Sequence, residues 1–134
     1  MKRTVEIKSD RASYWTDLGD AYRYNKNFWD AAESYRKSIE LKSDNSYAWG
    51  CLGISYINLK NYVEATESLI KAVEINPENV GAWAYLGAAY TGQKLYAEAA
   101  AAYDRAYNLA DSEKFKEMMK KNRDEALEAA KNSN

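Results

Sequence analysis

The chain has 134 residues, with nineteen basic and twenty acidic side chains and a formal net charge of −1. That balance excludes a protein held on nucleic acid or on an anionic membrane by bulk charge. It has no His and one Cys, which removes the usual near-neutral acid–base group, any His-based catalytic triad, an internal disulfide and a Cys-rich zinc site.

Residues 1–11 come first and lie outside the pattern that follows. Lys2 and Arg3 lead, but Glu6 and Lys8 interrupt any apolar run, so no secretory signal is read there. Val5 and Ile7 alternate with charged residues, a short extended pattern that reads as a frayed terminus or as a segment docking in a groove. No run approaches the roughly 18 apolar residues of a bilayer span. No membrane insertion is expected, and the expected setting is cytoplasmic.

From residue 12 a pattern returns every 34 residues. Trp15-x-x-Leu18-Gly19-x-x-Tyr22 is followed by Trp49-x-x-Leu52-Gly53-x-x-Tyr56 and by Trp83-x-x-Leu86-Gly87-x-x-Tyr90. Trp, Leu and Tyr at i, i+3 and i+7 form one helical face. The small residue between them lets a second helix approach. That second helix has its own repeating face: Ala31, Ala65 and Ala99, then Tyr35, Leu69 and Tyr103, then Ser38, Ala72 and Ala106. Each unit is therefore two helices joined by a short turn, at residues 25–27, 59–61 and 93–95. Asn27 and Asn61 are expected N-caps. Trp29 stands where the other units have Val63 and Ala97, and is expected to extend the core or pack on residues 1–11.

Residues 111–134 break the repeat. Ser112 can cap a helix whose stripe of Phe115, Met118, Met119, Asn122, Ala126 and Ala129 would cover the last apolar face of a stack. Its other face carries charges, including Lys120, Lys121, Arg123 and Asp124. The alternative is that it swings out, or that Met118 and Met119 form a partner surface.

The framework resembles the tetratricopeptide repeat (TPR) family, with its W-x-x-L-G-x-x-Y…A signature. The resemblance spans 12–110 as repeats 12–45, 46–79 and 80–110, with 111–134 as a capping helix and tail. The fold it implies is all-α: an α-solenoid of three helix-turn-helix TPR units with a C-terminal solvating helix. Two departures stand out. The closing Pro survives only as Pro77, with Ser43 and Asp111 elsewhere, and Lys26, Lys60 and Lys94 replace the usual turn Gly. A left-handed Lys there costs about 1 kcal/mol.

Chemistry is sparse. Asp17 and Asp20 lie one turn apart on a helix and are the only acid–base pair to consider; a solvated groove edge is the expected role, and no catalytic residue, metal or cofactor is assigned. Cys51 reads as a small packed residue.

In the resembled family the first helices line a concave groove that takes a peptide or helical segment. Residues of those helices outside the Trp-Leu-Tyr face, Thr16 among them, are expected to point into it. The candidate groove residues here are Asp17, Asp20, Tyr24, Tyr47, Cys51, Ile54, Asn58, Tyr85 and Ala88. One TPR subtype grips the acidic C-termini of heat-shock chaperones with a basic and Asn clamp. Its matching positions here are Thr16, Asp20, Cys51, Gly81 and Tyr85, none of them Lys, Arg or Asn, so that mode is not expected. The reading is a scaffold or adaptor whose partner is a protein segment with apolar residues and a basic end. The alternative is a homo-oligomer in which another copy fills the groove. Nucleic acid is not an expected partner, since no basic stripe lines the groove.

Overall fold

The Trp-Leu-Tyr face of each unit and the Ala-rich face that follows it each fold as one helix. The computed structural model describes residues 2–133, with residues 2–10 described by their backbone alone. Among them the elements are α1 (Lys2–Tyr24), α2 (Phe28–Leu41), α3 (Ser46–Asn58), α4 (Tyr62–Ile75), α5 (Val80–Gly92), α6 (Tyr96–Leu109) and α7 (Glu113–Asn132), with no strand. Helix α1 packs on α2, α3 on α4 and α5 on α6. The contacts of α2 with α3, α4 with α5 and α6 with α7 join the units into a solenoid. The first helices also touch one another, α1 with α3 and α3 with α5.

The repeat explains this packing. Ala31, Ala65 and Ala99 are fully buried, as are Tyr35 and Leu69. Leu52 and Leu86 are buried against the second helix of the preceding unit. Burying a side chain of this size contributes about 1.5–3 kcal/mol. The helices of a pair come so close that a Cβ on Gly19 would lie 2.7 Å from Tyr35. On Gly53 it would lie 2.5 Å from Leu69, and on Gly87 2.6 Å from Tyr103. Only glycine fits this spacing. The indole nitrogens of Trp49 and Trp83 donate to the carbonyls of Ser43 and Pro77, each at 2.8 Å. Because the bond uses a main-chain carbonyl, the closing position does not require proline.

The turns take the expected left-handed form: φ is 64° at Lys26, 63° at Lys60 and 62° at Lys94. The amides of Asn27, Asn61 and Leu95 then bond back to the carbonyls of Tyr22, Tyr56 and Tyr90, closing the first helices. Asn27 and Asn61 occupy cap positions, but their side chains make no cap hydrogen bond, contrary to expectation. Their backbone (ψ 71° and 72°) is that of Leu95 (ψ 72°), which has no capping group at all. The turn geometry, not the side chain, starts these helices. Side-chain caps are instead made by Asn45, Asn79 and Ser112.

Residues 2–11 are the first turns of α1, not an extended segment. On α7, Met119 and Ala126 are buried against α6 and Phe115 is half-buried, but Met118 is 51% exposed and leaves the expected stripe. Arg123 moves the other way. Placed on the charged face by its spacing, it is half-buried, donates to Asp104 at 2.7 Å and lies over the Tyr107 ring. The interface with α6 is thus wider than the apolar stripe, and a guanidinium forms its margin.

A candidate ligand groove on the first helices

The layer of α1, α3 and α5 carries two different junctions. Between α1 and α3 the junction is polar. Asp20 accepts a short hydrogen bond from the Tyr35 hydroxyl, and the Tyr47 hydroxyl lies 3.0 Å from both of its carboxylate oxygens. Arg23 donates to the Tyr35 oxygen at 3.1 Å and pairs with Asp20 at 3.5 Å. Burial, followed by hydrogen bonding to Asp20, pushes the Tyr35 hydroxyl above the usual phenol range. Burial first, then bonding to Cys51 and Asp20, does the same for Tyr47. Both are neutral donors at physiological pH. Asp20 therefore has its partners within the protein, and among the expected acidic pair only Asp17 is a freely exposed carboxylate.

Between α3 and α5 the junction is apolar and open. A cavity of about 160 Å³ is lined by Tyr47, Gly50, Cys51 and Ile54 from α3, and by Asn79, Gly81, Ala82 and Tyr85 from the α5 side. Beyond Gly81 the surface opens into a wider hollow of about 590 Å³ toward α7, where Val80, Phe115 and Met118 stand. Cys51 is a buried free thiol in the cavity wall, and burial pushes its pKa up.

Of the candidate groove residues, the structure brings Tyr47, Cys51, Ile54 and Tyr85 around one cavity, with Asp20 joined to it through Tyr47. Asp17, Tyr24, Asn58 and Ala88 do not line it. Tyr24 is exposed at the end of α1 with the Arg23 guanidinium 5.0 Å over its ring, and Asn58 turns back to the Ile54 carbonyl. Thr16 is not in a groove either. It is buried between α1 and α2, bonded to Ser38 and to the Ala12 carbonyl, because a small hydroxyl pair closes the helix contact there.

Asn79 and Ala82 were missed. Asn79 precedes α5, caps it by accepting from the Ala82 amide, and donates to Ser46 across the units at 3.0 Å. An Asn at the same place in two repeats (Asn45 and Asn79) was the available signal. Trp29 is 65% exposed and helps line a separate hollow with Trp49, Ile39 and Tyr56, so it does not extend the core, and its expected packing on residues 1–11 falls on side chains outside the described ones. Among the described residues no helix is long and apolar enough to cross a membrane, and no group of three His, Cys, Asp or Glu side chains is placed to hold a metal.

Family models described as tetratricopeptide repeat match residues 12–45 and 46–79, together half of the chain. The chain belongs to the tetratricopeptide repeat family. Its third unit repeats the Trp-Leu-Gly-Tyr framework and the left-handed Lys of the first two. No curated protein sequence matches it. Solved TPR structures superpose well on this one. The Arabidopsis OM64 TPR domain has a TM-score of 0.82 at 23% identity, over 88% of this chain and 98% of that one. The first TPR domain of human RPAP3 gives 0.83 at 22%, over 94% and 99%. The second human RPAP3 TPR domain, solved in complex with the HSP70 peptide SGPTIEEVD, gives 0.79 at 17%, over 92% and 98%. Identities this low speak to the fold of this TPR chain.

Proposed function

We propose that this TPR protein is a non-catalytic adaptor that binds an extended or helical segment of a partner protein along α3 and α5. The segment it fits is mainly apolar, with a basic residue toward α1. The observation that carries this reading is the uncharged cavity built by Tyr47, Ile54 and Tyr85 between two adjacent units. Exposed aromatic and aliphatic surface around a concavity is characteristic of interaction sites, and tyrosine supplies apolar area with a hydrogen-bonding tip.

The RPAP3 ligand SGPTIEEVD ends in acidic residues. Nothing comparable is complemented here. Thr16 is buried, Cys51 is a neutral buried thiol, Gly81 has no side chain, and Asp20 is itself a carboxylate. Arg23, the cation beside them, is engaged by Asp20 and Tyr35. The basic end of the ligand is matched by Asp17, since Asp20 is already bonded.

The test is a random-peptide display selection on the whole chain, with labelled SGPTIEEVD as the acidic control. Selected peptides should be apolar with Lys or Arg at one end, and should lose about tenfold in affinity on Asp17→Lys. Tight binding of SGPTIEEVD that Tyr47→Ala and Tyr85→Ala remove would overturn the non-clamp assignment. Light scattering on the same samples separates the self-assembling alternative: a larger species that Tyr85→Ala disperses would mean that another copy fills the groove.

A further inference from the structure

The two junctions described above are the same place in successive repeats. In the first, the Tyr47 side chain crosses from α3 to α1 and its hydroxyl is bonded by Asp20. One repeat later the residue at the Tyr47 position is Gly81, and the residue at the Asp20 position is Ile54. The ring and its acceptor have been replaced together. The space they would fill is the cavity between α3 and α5, with Gly81 and Ile54 in its wall. One repeat further on, Phe115 restores a ring at the same position. Along the groove the order is ring, gap, ring.

Nothing in the fold requires glycine at the gap. No glycine of the described chain has positive φ, and a Cβ on Gly81 would have only the Asn79 Oδ1 atom near it, at 3.7 Å. This differs from Gly19, Gly53 and Gly87, where helix packing leaves no room.

We propose that the gap is a socket for one flat apolar ring, a phenylalanine-like side chain of the bound segment, which takes the place that Tyr47 fills one repeat earlier. The inference rests on the groove reading above and names the anchor of its ligand. Size and polarity both support it. A cavity of about 150 Å³ accommodates one benzene ring, and this one measures about 160 Å³. No charged residue lines it. The Asn79 amide is held by the helix start, accepting from the Ala82 amide at 3.1 Å and donating to Ser46 at 3.0 Å. With Ile54 where Asp20 would be, the carboxylate that accepts from the Tyr47 hydroxyl one repeat earlier has no counterpart in this wall, so a charged or hydroxylated tip is less well matched than a plain ring.

The experiment uses peptides selected by display on the whole wild-type chain. They should share a Phe or similar ring at one position. Their affinity should fall about ten- to hundredfold on Gly81→Tyr, and as much when that ring is changed to Ala in the peptide. The two losses should not add, because each removes the same ring–socket contact. Gly81→Leu gives a second fill if the tyrosine variant does not melt cooperatively. Peptides that need Tyr47 and Tyr85 yet bind Gly81→Tyr and Gly81→Leu normally overturn the socket and leave the groove standing. Binders indifferent to all of these changes, or no enrichment at all, overturn both.

Discussion

The two outer faces of the stack, on α1 and on α7, are finished in opposite ways. In units two and three the residue before the repeat Trp is a buried alanine packed under the preceding helix: Ala48 is 0% and Ala82 3% exposed. On α1 the same position is Tyr14, 60% exposed, with its ring edge-on to Trp15 at 5.4 Å. Leu18 is half-buried and Ala21 exposed where Leu52, Leu86, Ser55 and Ala89 are buried. The α1 face therefore keeps the framework residues but obstructs close helix approach with one ring. On α7 the framework itself is gone. The positions of Trp, Leu, Gly and Tyr hold Glu117, Lys120, Lys121 and Asp124, a face on which no further unit could pack in the same manner. Closure by charge replaces the whole apolar stripe, whereas closure by bulk changes one residue and leaves the stripe behind it.

The largest effect should come from the charged end. Its inner side holds the stack closed through Met119, which is buried with Ala99, Tyr103 and Ala106. Met119→Ala should cost about 2–3 kcal/mol, from lost burial and the cavity left behind. Urea unfolding would read this as a lower midpoint at unchanged slope. A loss below about 1 kcal/mol would mean that α7 does not seal the array, and the contrast between the ends would disappear.

Next is a transplant. Ala48→Tyr puts the residue of the open face into an interior junction. No space exists there, so overpacking should cost about 1–3 kcal/mol, read from the same urea curves. If Ala48→Tyr were neutral, Tyr14 would be no obstruction to stacking, and the α1 face would be an ordinary repeat face that happens to be uncovered.

How much of this was legible beforehand follows the same division. The 34-residue return of Trp, Leu, Gly and Tyr disclosed the helix pairs, the buried Ala series and the left-handed Lys turns, because each depends on local spacing that a repeat shows three times. The candidate groove was legible only in part. Tyr47, Cys51, Ile54 and Tyr85 were identified as residues left over by the core face, and they do line one cavity. Thr16 has the same claim by spacing, yet Ser38 draws it into the helix contact. Asp20 looked like free charge because its partners Tyr35 and Tyr47 lie 15 and 27 residues away. Single departures from a repeat, such as Gly81 or Tyr14, carry no periodic signal. Their meaning emerges only when equivalent positions are compared in space.

The smallest effect belongs to Tyr14→Ala, and it decides what the open face is. Losing an exposed edge-on ring pair costs about 0.5 kcal/mol or a little more. Replacing tyrosine by alanine in a helix returns roughly the same amount through propensity. The net change in stability should lie within about 0.5 kcal/mol, and the melting temperature should hardly move. The variant would also present the small residue that Ala48 and Ala82 present to the helices above them. A loss above about 1 kcal/mol would show that the Tyr14–Trp15 pair is an integral part of the unit-one core. Both ends would then be closed by packing, and the difference between them would be one of composition alone.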